Sequence, residues 1–392
     1  MSTLPKHVTL KKNEDRRLLG GHQWVFSNEI LTAGGAPQPG DLVELLRSDG
    51  RPLGCGFYNA HSLIAVRLLS SSIVEPDRAF FRERIDLARR MRERLFPGAT
   101  AYRVVHGESD FLPGLVVDRF NDVIAVQTYS AGMDRRLPEI CDVLEELFAP
   151  KGIVERNESP LRDLEHLPSR KGILRGAAEP QEFDLNGVRF RADILSGQKS
   201  GFFLDQRQNR TLLSAVAGGA SVLDCFCNEG GFGLYAARYG ARSVESVDIS
   251  ADALERASAN AALNGLTTLA FTAADVFAYL ADAVKEGRKW DVVVLDPPSF
   301  TKSRKTLPAA LKGYREINTN ALRLVEKGGF LLTASCSHHV DRDTFVELVG
   351  ESAVKAGRKL RLLSVTGASP DHPELPAMPE TRYLKCVFCQ VE

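Results

Sequence analysis

Val222-Leu-Asp-Cys-Phe-Cys-Asn-Glu-Gly-Gly-Phe-Gly-Leu-Tyr-Ala236 is the stretch whose reading decides the fold. The run Ser221 to Leu223 reads as a buried strand that ends at Asp224. Gly230, Gly231 and Gly233 then let the backbone turn tightly, and Leu234-Tyr-Ala-Ala237 opens a helix. Strand, glycine turn and helix make the first half of a nucleotide-binding unit. The ligand of such a unit sits at the carboxyl end of the strand, where the strand order reverses.

The turn is not a dinucleotide fingerprint. It lacks the G-x-G-x-x-G spacing, and Asp224 stands where a pyrophosphate would bring negative charge. A carboxylate there suits a cationic group such as the amino end of a methionine moiety. One strand later, Ser243-Val-Glu-Ser-Val-Asp248 ends in a second acid, placed to accept from ribose hydroxyls. Asp275, in Ala273-Ala-Asp-Val276, ends or follows a third strand and suits an adenine amino group. A helix N-cap explains any one of these acids, because Asp is favoured there. The ordered set of three points to S-adenosylmethionine, with S-adenosylhomocysteine as product and no metal. Phe226, Asn228, Gly230, Gly231 and Phe232 in the turn, Ile249 after Asp248 and Val276 after Asp275 are the other residues expected around that cofactor, with Asp296 at a later strand end.

From about residue 186 onward, strands and helices alternate. Strands are expected near 221–224, 243–248, 268–272, 290–295, 329–335, 360–366 and 382–391. Helices are expected near 230–240, 251–264, 275–286, 307–326 and 341–356. Five β-α units followed by two closing strands describe an α/β fold with a seven-stranded, mostly parallel, Rossmann-like sheet over residues 186–392. Prolines 370, 373, 376 and 379 stiffen the loop before the last strand.

Ahead of this lie two other textures. Residues 1–75 are short apolar segments broken by glycine and proline, such as Asp41–Leu46, Gly54–Tyr58 and Leu63–Leu69, and read as a small β-barrel. Residues 76–185 read as an α+β domain. In its first helix Phe81, Ile85, Ala88 and Leu95 recur at helical spacing, while Arg82, Arg84, Arg89, Arg90, Arg92 and Arg94 crowd the other positions. That basic face is either an RNA contact or an ordinary solvated surface. Strands at Tyr102–His106, Gly114–Asp118 and Val123–Thr128, a helix over Arg136–Phe148 and a loop-rich stretch to about 185 complete it.

Composition bounds the function without naming it. In 392 residues, 50 basic and 50 acidic side chains cancel, so any argument for a polyanionic partner must be local. No apolar run approaches the ~20 residues of a membrane helix, and the N-terminus lacks a signal-peptide core, which fits a cytoplasmic protein. Seven thinly spread cysteines suit a reducing compartment. Cys386 and Cys389 form a C-x-x-C inside a strand-like run, with no second pair to complete a zinc site, and read as core.

The chemistry gathers at two further strand ends. Trp290-Asp-Val-Val-Val-Leu-Asp296 stops at Asp-Pro-Pro-Ser-Phe300, where the prolines leave carbonyls free to face a substrate and Phe300 can stack on a base. Gly329-Phe-Leu-Leu-Thr-Ala-Ser335 ends at Cys336. Neighbouring strand ends lie ~5 Å apart, so a carboxylate and a thiol would flank one pocket. That pair suits methylation at carbon 5 of a pyrimidine: the thiolate adds at carbon 6 and makes an enamine, while Asp296 holds N3. A free thiol has a pKa of ~8.5 and needs a nearby charge or base, for which His338, His339 and Lys302 are the candidates. A small buried strand residue is the competing reading of Cys336. Lys302, Arg304 and Lys305 place three cations at the mouth of the pocket, and Gly197–Arg210, with Lys199 and Arg207, adds cations and aromatics that lid the cofactor or touch RNA.

These segments resemble the family of class I S-adenosylmethionine-dependent methyltransferases that make 5-methylcytosine in bacterial 23S ribosomal RNA. Residues 1–75 are similar to a PUA domain, and 76–185 to the family's central domain, including Gly107-Glu-Ser-Asp-Phe-Leu-Pro-Gly-Leu-Val-Val-Asp118. Gly197–Arg210, Asp296–Phe300, Ser335–Val340, Asp371-His-Pro373, Glu380 and Tyr383-Leu-Lys385 match its catalytic domain over 186–392. The resemblance implies that Asp224 and Gly230 bracket the methionine moiety, Asp248 the ribose and Asp275 the adenine, with Cys336 as nucleophile. It also implies a homodimer acting on ribosomal RNA, free or in an assembling large subunit. Many RNA cytosine-5 methyltransferases carry a second cysteine in the proline motif, and here that motif is Asp-Pro-Pro-Ser, so the group that removes the carbon-5 proton is unassigned. A nitrogen methyltransferase with a structural Cys336 and a non-catalytic RNA-binding assembly factor are the alternatives; the missing dinucleotide spacing sets a dehydrogenase aside.

Overall fold

The computed structural model describes residues 4–195, 197, 201–301 and 303–392. The chain forms two compact units. One comprises Met1–Phe183, Ala192–Leu204 and Pro370–Thr381; the other comprises Asp184–Arg191, Asp205–Ser369 and Arg382–Glu392.

The first unit opens with the expected small β-structure. Strands β1 (His7–Leu10), β2 (Trp24–Phe26), β3 (Ile30–Gly34), β4 (Leu42–Leu46), β5 (Pro52–Tyr58) and β6 (Ile64–Ser70) form one sheet in the order β2-β6-β5-β4-β1-β3, with a one-turn helix α1 (Arg16–Leu19) after β1. Val8, Leu10, Val25, Val43, Leu45 and Val66 fill its interior. Trp24 donates its indole N–H to Glu108 at 2.8 Å, while the Arg67 guanidinium lies 5.5 Å from its ring.

Helix α2 (Arg78–Leu95) begins where Asp77 accepts from the Phe80 amide, and it buries Phe81, Ile85 and Ala88. Leu95, expected on that face, is 48% exposed. The arginine face is largely neutralised within the fold. Arg82 pairs with Glu146, Arg89 and Arg90 pair with Asp86, and buried Arg92 pairs with Asp110.

A second sheet contains β7 (Ala101–His106), β8 (Leu115–Phe120), β9 (Val123–Thr128), β10 (Gly152–Asn157) and β11 (Arg170–Gly176), in the order β11-β10-β9-β8-β7, with α3 (Ala131–Arg135) and α4 (Leu137–Phe148). The last two strands lie in the stretch expected to be loop. Glu155, Arg156 and Asn157 break the apolar pattern there. They are nonetheless buried, because partners satisfy them: Arg156 donates to Glu158, and Asn157 accepts from the Thr128 amide. A hairpin of β12 (Gln181–Leu185) and β13 (Val188–Ala192) turns at Asn186-Gly187, both at positive φ, as a two-residue hairpin turn requires.

In the second unit a short helix α5 (Arg207–Thr211) leads into a seven-stranded sheet of β14 (Ser221–Cys225), β15 (Ser243–Asp248), β16 (Leu269–Ala273), β17 (Trp290–Leu295), β18 (Val325–Ser335), β19 (Leu360–Thr366) and β20 (Lys385–Val391). Its order is β16-β15-β14-β17-β18-β20-β19. The first five strands are parallel, and β20 runs antiparallel between β18 and β19. Helices α6 (Gly231–Arg238), α7 (Ala251–Leu263), α8 (Val276–Lys285), α9 (Leu307–Leu324) and α10 (Arg342–Ala356) fill the connections. Strand β18 starts earlier than Gly329 because Val325 already pairs with Trp290 across a register shift.

Leu223, Cys225, Val293, Leu295, Leu331 and Val387 are core residues of this sheet. Cys386 and Cys389 are buried within β20. The strand order reverses between β14 and β17, so the loops leaving those two strands part and open a crevice at their carboxyl ends. Among the described residues no helix is long and apolar enough to cross a membrane.

Candidate active site

The loop after β14 coils through three positive-φ residues, Phe226, Asn228 and Gly230. This brings the start of α6 back over the strand end, where the Gly233 amide donates to Asp224 Oδ2 at 2.7 Å. A Cβ at Gly233 would stand 2.6 Å from Ser246 Oγ and 3.1 Å from Asp224 Oδ2, so only glycine admits this approach. Gly231 faces the Arg210 guanidinium in the same way, and that guanidinium lies 5.9 Å from the Phe232 ring. Phe232 is buried, and Phe226 is half-buried.

Asp224 is fully buried, and its Oδ1 has no hydrogen-bond partner among the described residues. Burial drives its pKa up to about 8, and the nearby charges of Asp296 and Asp248 push the same way; the Gly233 amide and Arg210 oppose them. A buried carboxyl with an orphaned oxygen is a costly arrangement that a cationic ligand group relieves. The pocket therefore fits the ammonium end of S-adenosylmethionine.

The other acids sit at successive strand ends, as expected. Asp248 closes β15. Its Oδ2 accepts from the Asn228 amide and its Oδ1 from the Ser250 amide, both at 2.9 Å, which fixes the carboxylate while leaving lone pairs for ribose hydroxyls. Ile249 beside it is 73% exposed, an apolar surface next to the acid. Asp275 is the N-cap of α8, with Oδ1 accepting from the Ala278 amide. The N-cap reading therefore holds, and the residue is exposed. The Val276 side chain is buried in the core.

Across the crevice, Asp296 follows β17, and its amide donates to the Cys225 carbonyl. Its Oδ1 accepts from Gln206 Nε2 at 2.7 Å, and Gln206 is itself held by Asn209, which accepts from Thr366. This buried chain aims the carboxylate, and neither Gln206 nor Asn209 stood out in the sequence. Cys336 follows β18. Its Sγ lies 3.9 Å from the Pro297 carbonyl oxygen, so the thiol and the proline loop face each other as the strand spacing predicts.

A buried hydroxyl cluster holds the two loops together. Tyr314 OH meets Ser335 Oγ at 3.0 Å and Ser337 Oγ at 2.9 Å, and Ser337 Oγ meets Ser299 Oγ at 3.0 Å. Phe300 packs against Tyr314 with ring centroids 4.5 Å apart and stays half-buried.

A buried cation, quoted above without a role, adjoins this arrangement. Lys385 on β20 is directly opposite Ser335 and donates to the Ser337 carbonyl at 2.7 Å. His338 is a poor source of positive charge. Solvent exclusion around its ring, then the Lys385 charge, lowers its pKa, although part of the residue remains at the surface. Arg304 and Lys305 are exposed as expected, whereas Arg207 is buried at 1% exposure and presents no outward face. Lys302 and Lys199, also expected at the RNA, lie outside the described residues.

Comparison with known proteins agrees with this geometry. Residues 8–71 match a family model described as a PUA-like domain, and residues 172–387 match one described as an S-adenosylmethionine-dependent methyltransferase. The chain is 40% identical over 391 residues to the ribosomal RNA large subunit methyltransferase I of Shewanella amazonensis, covering 98% of this chain and 99% of that one. It is 39% identical over 385 residues to the protein of the same name from Aeromonas salmonicida, covering 96% and 97%. Among solved structures, a SAM-dependent methyltransferase from Streptococcus mutans superposes with a TM-score of 0.84 at 21% identity, over 98% of this chain and 99% of that chain. A methyltransferase complexed with S-adenosylhomocysteine superposes with a TM-score of 0.85 at 21% identity and the same coverage. With S-adenosylmethionine as cofactor and relatives of this identity along nearly its whole length, the chain belongs to the ribosomal RNA large subunit methyltransferase I family of S-adenosylmethionine-dependent methyltransferases.

Proposed function

We propose that the protein methylates carbon 5 of a cytosine in 23S ribosomal RNA through a covalent adduct at Cys336. One observation carries this reading: six of the seven cysteines are buried, and the exception is Cys336, at the carboxyl end of β18 beside the Asp296-Pro-Pro loop. The relatives' name and the PUA-like match support RNA as the substrate.

S-adenosylmethionine supplies an electrophilic methyl group when bound. Asp224 would hold its ammonium group, Asp248 its ribose and Asp275 its adenine. Carbon 5 of cytosine is too weak a nucleophile to take the methyl group unaided. Addition of the Cys336 thiolate to carbon 6 moves electron density onto carbon 5 and N3. Asp296, its Oδ1 held by Gln206, would donate a carboxyl proton to N3 as that charge develops. Once carbon 5 carries the methyl group, its proton leaves to a base or water as the thiolate is expelled. Exposed Arg304 and Lys305 would meet the phosphates on either side of the target base.

The test is nucleoside mass spectrometry on unmodified large-subunit RNA after incubation with the protein and S-adenosylmethionine. Appearance of 5-methylcytidine, lost in Cys336→Ala while calorimetry shows unchanged cofactor binding, is the expected result. A nitrogen-methylated nucleoside, or near-normal turnover by Cys336→Ala, would sink the covalent mechanism.

A further inference from the structure

The β20 strand brings a lysine into the interior beside the only thiol that is not buried. Lys385 is 5% exposed, and its ammonium is anchored by two carbonyls, those of Ser337 at 2.7 Å and Tyr383 at 3.0 Å. Strand pairing sets it opposite Ser335, so it is tied to the residues on both sides of Cys336. Among the described residues it forms no ion pair with a carboxylate. Carbonyls satisfy its hydrogen bonds but not its charge, and an uncompensated buried ammonium is expensive.

The titratable groups around it are few. Asp341, the N-cap of α10, contributes a more distant negative charge, and His338 approaches from the loop after Cys336. The hydroxyls of Tyr314 and Tyr383 are already engaged, by Ser335 and Ser337 in one case and by Asp205 in the other. Burial lowers the pKa of Lys385 to about 8, and negative charge on Cys336 and on Asp341 acts against that fall. Free amine and ammonium are then both accessible near neutral pH.

We propose that Lys385 is the positioning residue of the nucleophile, forming a thiolate–ammonium couple with Cys336. The Sγ–H bond breaks and an Nζ–H bond forms, which leaves the thiolate facing the ammonium. The ammonium keeps that proton while sulfur is bonded to carbon 6 and can return it when the thiolate is expelled. The couple deepens the covalent reading above, but its test does not depend on RNA.

The experiment is the pH dependence of Cys336 alkylation by iodoacetamide, followed by peptide mass spectrometry on the full chain. The six buried cysteines serve as an internal report of folding, since they label only if the protein opens. In Lys385→Met the midpoint of Cys336 alkylation moves upward. The rate near neutral pH falls about tenfold, the effect of a one-unit shift in thiol pKa. Lys385→Arg keeps a permanent charge at the same place, so it holds the midpoint at or below that of the unmodified protein. It also carries the test if the methionine variant opens. An unmoved midpoint in Lys385→Met, or a raised one in a folded Lys385→Arg, overturns the proposal. Turnover of Cys336→Ala reads the covalent mechanism separately, so failure of the couple and failure of that mechanism are distinguishable.

Discussion

At the scale of single residues, Asp224 shows a site held ready at the expense of stability. Its folded-state pKa of about 8 is far above the ordinary carboxylate value, so the cofactor-free protein holds a proton there. The stability that Asp224 contributes is complete in acid and is lost as pH rises through about 8. Asp224→Asn removes the titration while leaving an oxygen for the Gly233 amide. Thermal denaturation of the cofactor-free variant should show a Tm above that of the unmodified protein, with the gap widening from acid to mildly alkaline pH. Calorimetry should show its cofactor affinity reduced, by the ~1.5–3 kcal/mol of a charge-assisted hydrogen bond. Asp224, Asp296 and Cys336 were legible in the sequence because each ends an apolar run, and that pattern is local. Gln206 and Lys385 were not, because each reaches the site only through a partner far along the chain: Asp296 for the one, the pairing of Ser335 with Lys385 for the other.

Elements fix how these side chains meet. The loops that carry Asp296 and Cys336 leave adjacent parallel strands, and Tyr314, projecting from α9, ties them together through Ser335, Ser337 and Ser299. Tyr314→Phe keeps the ring packed against Phe300 and removes only the shared hydroxyl. Leaving two buried serines short of a partner costs ~1–3 kcal/mol. The expected outcome is a modest drop in Tm and a lower kcat with unchanged cofactor binding, checked by denaturation, single-turnover methylation and calorimetry. Element types and most boundaries in the seven-stranded sheet were legible because β14, β17 and β20 are largely apolar and Ser250, Asp275 and Asp341 cap three of the intervening helices. Strands β10 and β11 were missed for the opposite reason. In β10 the charged residues Glu155 and Arg156 are buried against partners, Arg170 and Glu158. Strand β11 keeps Arg170, Lys171 and Arg175 at least partly exposed and has no buried apolar face. Partnering is a tertiary event that periodicity does not record. The arginines of α2 make the same point: composition marked a basic face, and the fold supplies acids for Arg82, Arg89, Arg90 and Arg92.

Over the whole molecule 50 basic and 50 acidic side chains leave no net charge to attract a polyanion, so affinity for RNA must come from local groups. Arg304 and Lys305 are exposed, and neither forms an ion pair among the described residues. If both contact phosphate, changing both to alanine should weaken RNA binding to a similar extent for every sequence. It should also reduce the slope of log affinity against log salt by about 2, measured by filter binding over a salt series. The order of the sheet has a consequence for how the molecule is made. Strand β19 pairs only with β20, and β20 inserts between β18 and β19 although every other strand of the sheet precedes it in the chain. A ribosome synthesising this protein therefore finishes the loop after β14, Asp224, Asp248, Asp296 and Cys336 while the sheet still lacks β20. That strand also delivers Lys385. Assembly of the surroundings of Cys336 is thus timed to the end of translation of this sheet, and a growing chain carries that thiol before Lys385 pairs with the neighbouring Ser335.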